Sequence, residues 1–119
     1  LSDGGKVAIL EHLAEYSGGD AAFEREIITL FLQQEPLTMR GLQEAAETGA
    51  MDTVKGLAHK MKSSVSVFGM NDLLNLLSRI GSGADQGISK EDMLLLINEL
   101  KTGIASYCRQ LQQVLQGNY

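Results

Sequence analysis

Between Met93 and Leu115 the apolar residues Met93, Ile97, Leu100, Ile104, Tyr107, Leu111 and Leu115 return every three or four positions through six turns. That is the repeat of a helix that buries one face, and a stripe of this length must find other stripes to pack against. Four more stretches offer them. Val7, Leu10 and Leu13, with Ala14 or Tyr16, mark a short helix over residues 6–16 that ends at Gly18-Gly19. Phe23, Ile27, Leu30 and Phe31 form the apolar face of the next helix, Val54, Leu57, Met61, Val65 and Phe68 that of a third, and Leu73, Leu74, Leu76, Leu77 and Ile80 that of a fourth. No strand-like alternation occurs, and the connections are short enough to make successive helices antiparallel neighbours. With 119 residues and 44% hydrophobic content, the expectation is one domain over residues 1–119: an all-α, up-and-down antiparallel four-helix bundle with an additional short N-terminal helix.

Punctuation supports these bounds. Ser2 or Asp3, Asp20, Asn71 or Asp72, and the box Ser89-Lys90-Glu91-Asp92 stand at helix starts, where a side-chain oxygen can accept an orphan N–H. Gly49 and Gly69 stand at helix ends. The seven residues from Gly81 to Gly87 hold three glycines and predict a flexible loop. Pro36 predicts a break, since a proline inside a helix costs about 3 kcal/mol, with Leu37 to Thr48 as a separate helix. Against this, Leu42, Ala45 and Ala46 continue the preceding stripe in nearly the same phase.

Composition excludes several functions. A net charge of −5 gives no basic surface with which to neutralise nucleic-acid phosphates. The longest apolar run is Met93 to Ile97, too short for direct membrane contact by a spanning helix, and no signal-peptide pattern opens the chain. Cys108 is the one cysteine, so no internal disulfide can form; its spacing from Ile104 and Leu111 predicts a small core residue. The start at Leu1 without a methionine suggests a piece of a longer protein.

The chemistry concentrates on the third helix. At about 100° per residue, His59 falls opposite Met61 and shares its side with Asp52, Lys55, Gly56, Lys62, Ser63 and Ser66. An isolated exposed histidine is usually plain surface. Here Lys62 lies one turn on, and Lys55, Lys60 and Lys62 outnumber the single acid Asp52 in an otherwise acidic chain. Gly56, Ser63 and Ser66 leave low ground around the ring, where a face built for solvation would carry better helix formers. His12 has no second histidine or cysteine nearby and is expected to be surface only.

His59, Lys62, Ser63, Ser64 and Gly69 resemble the core motif of histidine-containing phosphotransfer (HPt) domains: His, any residue, an apolar residue, Lys, two small residues, and Gly ten positions after the His. Leu13 to Asp20 resembles the family's first loop, Phe31-Leu32 through Pro36 its long second helix, and Gly49 through Asp52 its turn into the histidine helix. The likeness covers nearly the whole chain and is weakest after Gly81. It implies one long, bent helix through Pro36, which is the expectation adopted for the packing, with the kink at Pro36 left open. It also implies that His59 accepts a phosphoryl group from a receiver-domain aspartate and passes it to another, with Lys62 offsetting phosphoryl charge and Gly56, Ser63, Ser66 and Gly69 serving close docking. By the same likeness the chain is a monomeric carrier without ATP-dependent activity, metal or cofactor of its own. The Mg²⁺ belongs to the partner receiver. The parent protein would be a hybrid sensor histidine kinase, placing the domain in the cytoplasm, free or tethered to the inner membrane. Two departures from the pattern, Ser78-Arg79 where an acid commonly ends the fourth helix and Lys60 beside the histidine, bear on partner choice.

Rival classes fit less well. A histidine kinase dimerisation helix resembles His followed by an acid and a proline five positions on; here Lys60 and Ser64 stand there. A metal-binding bundle would need paired Glu-x-x-His motifs, which are absent. A non-catalytic interaction bundle remains the alternative.

Overall fold

The computed structural model describes residues 3–117, with side chains over residues 9–117, and contains five helices: α1 (Asp3–Ser17), α2 (Ala21–Thr48), α3 (Met51–Val67), α4 (Asn71–Gln86) and α5 (Lys90–Leu115). No strand occurs among the described residues. The expected cap of α1 at Ser2 or Asp3, and the side chain of Val7, fall outside what is described. Ile9 and Leu13 anchor α1 to the core, while Ala14 and Tyr16 face outward.

Asp20 caps α2 as expected, its carboxylate accepting from the Phe23 N–H at 3.1 Å. Gly49, at φ 78°, closes this 28-residue helix, with Pro36 inside it. At 1.5 Å per residue α2 is about 42 Å long, and the molecule's long axis is 42 Å. The break that proline alone predicts therefore does not occur. Buried residues continue through the site on one stripe: Ile28, Phe31 and Glu35 before the proline, Met39, Leu42, Ala45 and Ala46 after it. Burying each of Met39 and Leu42 contributes about 1.5–3 kcal/mol, which together offsets the proline's cost. The stripe is rotated from the expected one. Of Phe23, Ile27, Leu30 and Phe31, only Phe31 is buried, meeting Phe68 edge-to-face at 5.0 Å. Phe23 and Leu30 are 40% and 51% exposed.

The segment read as a loop from Gly81 to Gly87 is instead the last turns of α4, which ends only where Gly87 turns left-handed at φ 70°. Gly81 and Gly83 sit inside the helix, each costing roughly 0.5–1 kcal/mol relative to Ala. Gly83 has a reason: a Cβ there would stand 2.7 Å from Ile88 Cδ1, so the missing side chain lets Ile88 lie against the helix. The start of α4 also differs from expectation. Met70, buried, is the cap residue and offers no side-chain bond. Asp72, expected with Asn71 as an alternative cap, instead accepts from the Tyr107 hydroxyl at 2.8 Å; burial, and after it this bond, raises the tyrosine's pKa. Ser89 caps α5, accepting from the Asp92 N–H at 3.0 Å, and the expected stripe of α5 is buried from Met93 through Leu111, with Tyr107 partly covered.

Side-chain contacts fix the directions. Lys55 of early α3 meets Asp85 of late α4, Asp72 of early α4 meets Tyr107 of late α5, and Arg25 of early α2 donates to the Leu115 carbonyl of late α5. Neighbouring helices thus run oppositely. α2 packs on α3, α3 on α4, α4 on α5 and α5 back on α2, while α1 lies across α2 and α3. One connected apolar core fills the ring.

Candidate functional site

Burial of Val54, Ala58, Met61 and Val65 turns His59 outward. The ring stands at a depression of about 380 Å³ between α3 and α4. Asp52, Lys55, Gly56 and Lys62 line it from α3, and Leu77 and Gly81 from α4. At Gly56 and Gly81 an added Cβ would meet nothing within 4 Å, so both glycines leave open ground beside the imidazole. Lys55 Nζ is bound to Asp85 Oδ1 at 2.7 Å, and this bond raises the ammonium's pKa. Lys62 is half-buried, and no carboxylate pairs with it or with His59 among the described residues.

The other expected residues are dispersed. Ser63 and Ser66 are exposed on α3 but do not line the depression. The Ser66 hydroxyl donates to the Ser63 carbonyl at 2.9 Å and is thereby engaged. Gly69 lies in the α3–α4 turn at φ 65°, and a Cβ there would fall 2.7 Å from the His12 ring. Its place is explained by backbone conformation and by the docking of α1. His12, expected to be plain surface, is exposed yet covers that glycine. Sequence reasoning missed Leu77 and Gly81; they are four positions apart, on one helical face, a signal hidden by reading Gly81 as loop.

On the α2 side of α3 the surface is different. Lys60 and Ser64 approach Glu35, which is 3% exposed. Burial raises the Glu35 pKa, while the Ser64 hydroxyl and the Lys60 charge act to lower it. Beside it, Ile27, Leu30, Gln34 and Val67 border a shallow groove. Leu30 continues into a line of outward apolar residues with Phe23 and Leu37, and Tyr16 stacks on Phe23 at 6.3 Å. Cys108, expected in the core, is instead half-buried at the α2–α5 seam, where burial and the Glu35 charge raise its thiol pKa.

An exposed imidazole is a nucleophile near neutral pH, and a lysine one turn away can meet an anion held on it. Among the described residues no group of three His, Cys, Asp or Glu could hold a metal ion, and no helix is long and apolar enough to cross a membrane. Comparison with protein-family models, with curated proteins and with solved structures finds no match to this chain.

Proposed function

We propose that this chain is a histidine-containing phosphotransfer domain, an up-and-down antiparallel bundle of α2 to α5 with α1 as the additional short helix. In this reading His59 takes a phosphoryl group from the aspartate of one receiver domain and yields it to the aspartate of another. A P–N bond forms at the imidazole as the acyl phosphate P–O bond breaks, and the second transfer reverses this. The observation that carries the reading is His59 itself: exposed, held on a helix whose opposite face is buried, and bordered by two glycines and a lysine that no carboxylate pairs with among the described residues.

Phosphoryl transfer asks a protein mainly for positioning and for charge that offsets the equatorial oxygens. Lys62 meets the second need. The low ground at Gly56 and Gly81 would admit a partner's active-site loops, which bring the Mg²⁺. The outward residues Tyr16, Phe23 and Leu30 offer apolar surface for a protein partner near α3. Closure of the four-helix ring within one chain favours this reading over a kinase dimerisation element, which completes its bundle with a second copy.

The test is to incubate the domain with phosphorylated receiver domains. Wild type and His59→Gln should melt alike and sediment as monomers; only wild type should gain acid-labile, base-stable label. Label on His59→Gln, or loss of label from His12→Gln at unchanged stability, would overturn the assignment.

A further inference from the structure

The seam between α2 and α5, opposite the His59 depression in the ring, holds a second groove of about 430 Å³. Its floor is formed by the nearly buried side chains Met39 and Ile104, with Cys108 alongside, and its rim carries the cations Arg40, Lys101 and Arg109. Among the described residues no acid lines it, and the carboxylate that acts on Cys108, Glu35, is buried behind the groove. The chain as a whole carries 15 acids against 10 lysines and arginines, so three cations gathered without an acid reverse the local charge. None of the three is paired with a carboxylate among the described residues, and all three are exposed.

The spacing of the cations discriminates between occupants. Lys101 stands at one end, its Nζ 3.5 Å from Gln43 Oε1 across the seam. Arg109 lies two turns further along α5, eight residues or about 12 Å at 1.5 Å per residue. One small carboxylate or phosphate cannot reach both. An occupant that meets them needs anionic groups about two helical turns apart with an apolar face between them. An amphipathic helix with acids flanking its stripe has that arrangement.

We propose that the α2–α5 groove docks an acidic amphipathic helix of a partner protein, whose apolar stripe lies on Met39 and Ile104 and whose carboxylates meet Arg40, Lys101 and Arg109. The site is separate from His59 and does not depend on phosphoryl transfer. A docked helix would leave the His59 face open, so a partner held here can stay bound while the histidine is visited.

The probe is a synthetic helical peptide about four turns long, with leucines at helical spacing and glutamates on both flanks, compared with a peptide carrying lysine for every glutamate. Fluorescence anisotropy should show binding of the glutamate peptide, weakening as salt rises, and no binding of the lysine peptide. Arg40→Glu with Arg109→Glu, both at exposed positions, should weaken it on the order of tenfold or more, while His59→Gln should bind as wild type does. Cys108, the one cysteine, reports occupancy: the glutamate peptide should slow its alkylation. Equal binding of both peptides, no effect of the arginine variants, or unchanged alkylation would overturn the proposal. Protection of Cys108 by laurate but not by the peptide would reassign the groove to a small amphiphile. Self-association of the chain that Arg109→Glu abolishes would reassign it to a second copy.

Discussion

Lys55 Nζ lies 2.7 Å from Asp85 Oδ1, joining the first half of α3 to the last turn of α4 at the rim of the His59 depression. The two side chains are 54% and 59% exposed, so the pair adds little stability. Its consequence is a division of labour between lysines. Both Lys55 and Lys62 line the depression, but among the described residues Lys55 is already matched by a carboxylate and Lys62 is not.

Lys62→Ala should therefore slow receiver-to-His59 transfer, and Lys55→Ala should slow it much less. Removing one electrostatic stabiliser from an enzyme site costs up to about 10²–10³ in rate. For a half-buried lysine over an open depression the expected loss is on the order of ten- to a thousandfold. Neither variant should move the thermal midpoint appreciably. Equal losses for the two lysines would show that Lys62 has no special place, and single-turnover transfer rates measure this directly.

Gly56 gives the complementary test of shape. A Cβ at that position meets nothing, and Ala is favoured over Gly in a helix interior by about 0.8–1 kcal/mol. Gly56→Ala should raise the melting temperature. Gly56→Gln should also be at least as stable as wild type, yet transfer slowly, because its side chain would fill the ground beside His59. Ser63→Gln is expected to act in the same direction more weakly, since Ser63 lies outside the depression. Paired melts and transfer rates decide; a Gly56→Gln variant that transfers at the wild-type rate would show that close approach over this ground is not needed.

Gly69→Ala should destabilise for two separable reasons. The left-handed backbone at φ 65° costs a non-glycine residue about 1–2 kcal/mol, and the new methyl would meet the His12 ring at 2.7 Å. Adding His12→Ala should recover the steric part and leave the conformational part. Denaturant midpoints of the two single variants and the double variant give the division. Full recovery in the double variant would mean the turn tolerates a side chain.

Elements announced by a local, one-sided signal were legible in the sequence. The stripe of α5, the Asp20 and Ser89 caps, and the Gly49 stop each rest on residues that determine their own outcome. Elements decided by contacts from elsewhere were not. Gly81 and Gly83 read as loop until Ile88 is seen folded back onto Gly83. Pro36 alone reads as a break and the continuing phase of Leu42, Ala45 and Ala46 speaks against one; burial on both sides of it decides for the continuous helix. Ile27, Ile28, Leu30, Phe31 and Leu32 are apolar nearly all round, so periodicity alone could not choose which of them faces the core. At the site, the α3 residues were recoverable from helical phase; the contribution of α4 was not, because it required knowing which helix packs beside α3.

Glu35 supplies a prediction that is independent of phosphoryl transfer. The residue is 3% exposed, and desolvation raises its pKa above 4.5 more than Ser64 and Lys60 lower it. A raised pKa in the folded state means that the native protein holds the proton more tightly than the unfolded chain does. The neutral acid is thus fully accommodated below about pH 4.5, and that contribution is lost as pH rises through the folded-state pKa. Glutamine keeps the shape and cannot ionise. Glu35→Gln should match wild type in acid and become the more stable of the two as pH rises toward neutrality, with the gap levelling off once wild-type Glu35 is fully ionised. Because the carboxylate also raises the Cys108 pKa, the same variant should alkylate faster at Cys108 in mildly alkaline buffer. Melting curves across that pH range are the measurement. A gap that shrinks with rising pH would mean that Lys60 and Ser64, not burial, dominate the carboxylate's surroundings.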